Sequence, residues 1–190
     1  MTINDKGLLR AMKAAYKKAG YDVAMSDNGL LIQAEKWGVQ LHPEMVPNSV
    51  KSLIVLHCGA MPRPGKAVHV QKSECGDMIL DTVTGTMEDL ACSYTANGGL
   101  LIKPTRLTFD GNRVWQLADT HTARLVDPEY QQILMLMYGE KMETKLVDGV
   151  IYSRMSYGCS VYIRTEMILS EDKPLLTHLS QMQWIPVELD

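Results

Sequence analysis

His57-Cys58, His69 and Cys75 fall within 19 positions of one another, and imidazole with thiolate is a donor set that zinc accepts. The spacing fits no structural zinc pattern, and His57 and Cys58 are neighbours on an expected helix, where adjacent side chains diverge by about 100°. The reading is therefore a buried cysteine beside a histidine with its own partner, and neither metal nor cofactor is expected. Four cysteines (Cys58, Cys75, Cys92, Cys159) offer nucleophiles, yet no GxSxG elbow and no glycine-flanked cysteine accompanies them. Cys58 sits at the expected C-terminal end of its helix, where the dipole opposes thiolate formation. Asp77, Asp81, Glu88, Asp89, Asp110 and Asp119 fall in expected loops or strand ends and read as turn formers. Neither GxxxxGK[ST] nor GxGxxG occurs, and Asn97-Gly98-Gly99 reads as a turn. No catalytic residue is assigned.

What remains is a surface. Val39 and Leu41, and later Val161 and Ile163, alternate with Gln40 and His42, and with Tyr162 and Arg164. If the aliphatic set faces the core, the polar set faces away from it. Trp37 and Tyr157 sit at the turns before these strands. Trp37, Gln40, His42, Tyr157, Tyr162 and Arg164 thus form the expected ligand or partner face.

The elements that would carry this face are written twice. Asp5 to about Gly59 reads helix, three strands, helix, and Asp127 to about Gln181 reads the same way. Asp5/Asp127, Tyr16/Tyr138, Val39/Val161, Glu44/Glu166, Met45/Met167, Lys51/Lys173 and Leu53/Leu175 match at one constant shift. Small slips in the turns add Asp27/Asp148, Gly29/Gly149 and Trp37-Gly38 against Tyr157-Gly158.

The first helix starts at Asn4 or Asp5 and stops at Gly20, with Leu9, Met12, Tyr16 and Ala19 as its expected apolar stripe. Lys6, Arg10, Lys13 and Lys17 line another face, read as solvated. Strands at 21–25, 30–34 and 39–42 follow, then a helix from Pro47 to Gly59. Its run Leu53-Ile54-Val55-Leu56 is apolar all round, so the helix is expected to be largely buried. The second copy opens at Asp127-Pro128 with a helix expected to be buried on nearly all sides, Met135 and Met137 included. Asp148-Gly149 turns a hairpin, since the pair accepts the positive φ angles of a type I′ turn. A strand from Val161 to Met167 and a helix from Asp172 to Leu179 complete it. Residues 60–126 read as β, with Met61-Pro62-Arg63-Pro64-Gly65 as a stiff connector, Lys66–Gln71 as a strand and a hairpin about Asp110-Gly111-Asn112. Residues 76–95 are ambiguous.

The expected fold class is α+β: two pseudo-symmetric α-β-β-β-α units (5–59 and 127–181) flanking a central antiparallel β insert (60–126). An extended segment (182–190) closes one domain. A unit of about 55 residues is marginal alone, so the two must share a core.

A formal charge of −3, from 19 basic and 22 acidic residues, gives the whole molecule no general attraction for phosphate backbones. No 20-residue apolar stretch, no signal sequence and no dense cysteine framework point to a cytosolic protein without a membrane partner. The expected function is non-enzymatic binding or regulation, with a protein partner or small ligand held between the two units. A hydrolase or transferase with a non-local active site is the alternative. A nucleic-acid binder using the basic first helix is disfavoured by the acidic total. Recognition of double-stranded RNA through this element order would need basic starts to the second helices. Pro-Asn-Ser-Val-Lys-Ser and Ser-Glu-Asp-Lys-Pro are neutral and acidic.

Overall fold

Asp5–Lys17 (α1) carries Gly7, Leu8, Ala11 and Met12 on its buried face. That stripe is turned by one residue from the expected one, because Leu9 and Tyr16 lie on its flank and are only partly buried. The helix unwinds before Gly20, whose positive φ and bond to the Ala15 carbonyl close its last turn. The computed structural model describes residues 5–73, 78–82, 99–117, 123–134, 143–154, 159–164 and 166–167.

Three antiparallel strands follow: Tyr21–Ser26 (β1), Gly29–Gln33 (β2) and Trp37–Leu41 (β3). A 3₁₀ turn at Pro43–Met45 leads into Asn48–Cys58 (α2), which Gly59 ends in the left-handed conformation. Val50, Leu53, Ile54, His57 and Cys58 are buried on α2. Val55 is 43% exposed and Leu56 74%. The expectation of an all-round buried helix is thereby corrected: α2 lies on the sheet with one face, whatever the hydropathy of the other.

The central segment supplies Ala67–Lys72 (β4), Met78–Thr82 (β5), Leu100–Phe109 (β6), Asn112–Leu117 (β7) and Ala123–Val126 (β8). β6 is one strand of ten residues. Its register slips between Pro104 and Thr108, where proline removes a ladder donor. The irregularity is held by Thr105, whose hydroxyl donates to the Val114 carbonyl at 2.9 Å, and by Arg113, which donates to the Thr105 carbonyl at 2.7 Å.

Pro128–Leu134 (α3) starts on an Asp127 cap, the Glu129 N–H donating to its carboxylate at 2.8 Å. Glu143–Val147 (β9), Val150–Arg154 (β10) and Ser160–Arg164 (β11) form a second meander, and Glu166–Met167 (β12) pairs separately with β8. The expected single strand over 161–167 is thus two strands with different partners. Asp148-Gly149 and Asp110-Gly111 both have positive φ at both positions, as a type I′ turn requires. The second-copy helix at 172–179, the closing segment and the positions of Met135 and Met137 lie outside the described residues.

All twelve strands join in one antiparallel sheet, ordered β12-β8-β7-β6-β9-β10-β11-β3-β2-β1-β4-β5. The two meanders meet at β3 and β11, with Val39 opposite Val161. One face of the sheet carries the helices. There a continuous core joins Leu8 and Met12 of α1, Ile54 of α2 and Ile133 of α3 to Val39, Val161, Ile102 and Trp115. The opposite face holds a smaller cluster of Ala24, Leu31, Tyr152 and Tyr162. The molecule is an α+β domain. Among the described residues no helix is long and apolar enough to cross a membrane.

Candidate functional site

Where α1, the β2–β3 turn and the first turn of α3 converge, they leave a cleft of about 150 Å³. Alanine makes this possible. Ala11, Ala14 and Ala15 line one wall, and longer side chains there would fill the space. Ala34, Glu35, Lys36 and Trp37 supply the turn side, while Glu129 and Tyr130 come from α3. The turn is closed by the Ala34 N–H donating to the Trp37 carbonyl at 2.8 Å, which holds the backbone of Trp37 beside the cleft.

The charged residues of the lining are Glu35 and Glu129 of one sign and Lys18 and Lys36 of the other. Tyr130's phenol is raised above its ordinary value, first by burial and then by the charges of Asp127, Glu129 and Glu35. Burial, the larger cause, keeps the phenol protonated, and the three carboxylates act in the same direction. The volume matches a benzene-sized guest and falls below the roughly 300 Å³ lower bound of drug-sized pockets. The cleft suits a small head group.

Two histidines flank the same end of the sheet on opposite faces, because Tyr21 and Asp22 are successive residues of one strand. His57 is 7% exposed. It stacks on the Tyr16 ring with centroids 3.9 Å apart, and its Nδ1 lies 2.8 Å from the Tyr21 hydroxyl. Burial, then the charge of Lys13, lowers its pKa and favours the neutral ring. Burial pushes the neighbouring Cys58 thiol up to about 11, which leaves it protonated and unreactive at neutral pH. His69 faces the other way, its Nδ1 2.6 Å from an Asp22 carboxylate oxygen. Among the described residues no three His, Cys, Asp or Glu side chains converge on one point; Cys75 lies outside them.

The expected ligand face is distributed differently. Trp37 lines the cleft, although it is nearly buried and packs in the main core. Gln40 and Tyr162 do point away from the helices, but that side is covered: Gln40 is 1% exposed and Tyr162 9%. The Tyr162 ring lies over Gly38, where any Cβ would overlap it, and its hydroxyl donates to the Ala34 carbonyl at 3.4 Å. His42 is exposed beyond the end of β3. Arg164 ends β11 opposite Val150, and Tyr157 is outside the described residues. Among Trp37, Gln40, His42 and Tyr162, the members of the face whose side chains are described, Trp37 lines the cleft and the other three do not. Glu35, Glu129 and Tyr130 escaped sequence reasoning because they read as a turn and a capped first helical turn; their one signal is that both segments fall within the units expected to be repeated.

No protein-family model matches the chain, and no curated protein matches it. Among solved structures it is similar to a chain from Eubacterium rectale provisionally assigned as a DNA polymerase III beta subunit. The identity is 10% and the TM-score 0.33, over 89% of this chain and 65% of that one. A likeness at that level carries no weight for function.

Proposed function

We propose that this is a non-catalytic binding protein built from two related α-β-β-β units, and that the cleft at their junction receives a small ammonium or guanidinium group. That group is carried by a metabolite or by a basic side chain of a protein partner. The carrying observation is that the cleft takes its walls from both units: α1 and the β2–β3 turn from the first, α3 from the second.

The relatedness of the units is supported by where their matched positions fall. Arg10 donates to Gln132 at 3.3 Å, a separation of 122 residues, and Val39 faces Val161 across β3–β11. Both pairs stand at the shift read from the sequence. Equivalent residues meeting across an axis are what an approximate two-fold produces. The carboxylates of Glu35 and Glu129 beside the aromatic residues Trp37 and Tyr130 favour a cation, since aromatic faces and carboxylates both attract one, while the exposed Lys18 and Lys36 can turn their ammonium groups to solvent.

Titration of tryptophan fluorescence with N-acetyl-lysine methylamide tests the reading. Saturable quenching is expected, lost in Trp37→Phe and weakened roughly threefold to fivefold in Glu129→Gln, at the ~1 kcal/mol of an exposed ion pair. N-acetyl-glutamate should give no response. Equal responses to both compounds would contradict the proposal.

One observation favours an enzyme as the second reading. A carboxylate on Nδ1, as Asp22 stands to His69, is the arrangement that orients an imidazole as a general base. It lies on the sheet face opposite α1, so His69→Gln leaves cleft binding intact under the first reading.

A further inference from the structure

Lys6, Arg10, Lys13 and Lys17 are all exposed on α1. At 100° per residue they fall within an arc of about 60°, opposite the buried Leu8, Ala11 and Met12, and they span about 16 Å along the axis. Like charges three and four residues apart repel each other and destabilise a helix. Here three such pairs follow in succession: 6/10, 10/13 and 13/17. Among the described residues none of the four has a carboxylate within ion-pair distance; Arg10 bonds to the neutral Gln132, and Asp5 accepts from Ser49 on α2. The carboxylates at the cleft stand about a third of a turn round the helix, beside Ala14 and Lys18. α1 packs against both α2 and α3 beneath this stripe, which leaves the stripe on the outer surface of the helical layer.

We propose that the exposed face of α1 docks on the phosphate backbone of duplex DNA. Charge complementarity selects the occupant. A duplex carries one negative charge per about 1.7 Å of its axis, so a straight row of four cations over about 16 Å meets several phosphates at once. The side chains are lysines and one arginine on a smooth helical surface, so contact is to backbone rather than base edges and is independent of sequence. The formal charge of −3 is an average over the surface, whereas binding responds to the local field. The proposal is independent of the cleft.

The test is fluorescence anisotropy of a labelled 20-base-pair duplex with the whole protein between 50 and 200 mM salt. Four neutralised phosphates give a slope of about −3.6 in log K against log salt, roughly a 150-fold loss over that range. Lys13→Gln and Lys17→Gln should each reduce the slope by about one with a melting temperature unchanged or slightly raised, because each removes a like-charge repulsion, while Lys66→Gln leaves the slope as it is. Glu129→Gln, which weakens the cleft, should leave duplex binding in place. Absence of binding at 50 mM salt overturns the proposal. So does a slope that survives the double variant, or capture by phosphatidylserine vesicles without capture by DNA.

Discussion

The two meanders, β1–β2–β3 and β9–β10–β11, share strand number, pairing sense and the helix that precedes them, yet they are buried unequally. Every residue of β3 is buried, whereas β9 exposes Glu143 and leaves Lys145, Leu146 and Val147 half-covered. At their junction the roles also differ. The first unit contributes room, through Gly7 and Gly38; the second fills it with Gln132 and Tyr162. A Cβ on Gly7 would stand 2.8 Å from both the Cβ and the carbonyl oxygen of Gln132. Position 129, which the proposed shift pairs with Gly7, holds a glutamate that lines the cleft. Repeating an element order therefore fixes how strands pair, while each element's neighbours decide what is buried and where space is left over.

The largest effects should come from the shared core. Met12 of α1 and Ile133 of α3 are both fully buried in one cluster. Truncating either to alanine should cost about 2–5 kcal/mol, and in each variant circular dichroism and tryptophan fluorescence should report the same single transition. Two separate transitions would break the comparison, since the units would then fold independently.

Gly38→Ala comes next. The new methyl must displace the Tyr162 ring, an overpacking cost of about 1–3 kcal/mol. Urea unfolding of Gly38→Ala beside Gly38→Ala/Tyr162→Ala sharpens the point: part of the loss should be recovered when the ring is gone, and no recovery would place the strain elsewhere.

Acid should weaken the first unit through His57. Its folded pKa lies below the unfolded value, so the unfolded chain binds the proton first and stability falls as pH drops below about 6.5. The thiol of Cys58 acts at the other end: with a folded value of about 11, it removes stability as pH rises above 9. His57→Gln should flatten the acid limb of the stability profile and Cys58→Ala the alkaline limb. The smallest effect belongs to the outer face of α2, where Leu56→Ala should stay within about 0.5 kcal/mol of the parent.

Much of the fold was legible because it depends on local chemistry. Asp148-Gly149 and Asp110-Gly111 declare their turns, Pro47 and Gly59 bracket α2, and Asp127-Pro128 opens α3. Strand alternation correctly put Val39 and Val161 on one face and Gln40 and Tyr162 on the other. What alternation cannot supply is the cover on each face, so Gln40, expected on a ligand or partner face turned away from the core, is buried. Nor can hydropathy tell which side of Leu53-Ile54-Val55-Leu56 meets the sheet, because all four residues are apolar. The cleft was the least legible feature. It is made by alanines that leave space and by polar residues with sufficient local reasons to exist as cap and turn, and only the pairing of β3 with β11 and the packing of α1 on α3 bring them together.

The most direct measurement of the central claim is a nuclear magnetic resonance titration of the intact chain with N-acetyl-lysine methylamide, following backbone amides and the Trp37 indole. Binding at the junction predicts concentration-dependent shifts confined to Ala14, Ala15, Glu35, Lys36, Trp37, Glu129 and Tyr130, drawn from both units. Shifts restricted to one unit, or clustered on the opposite face around Asp22 and His69, would contradict it.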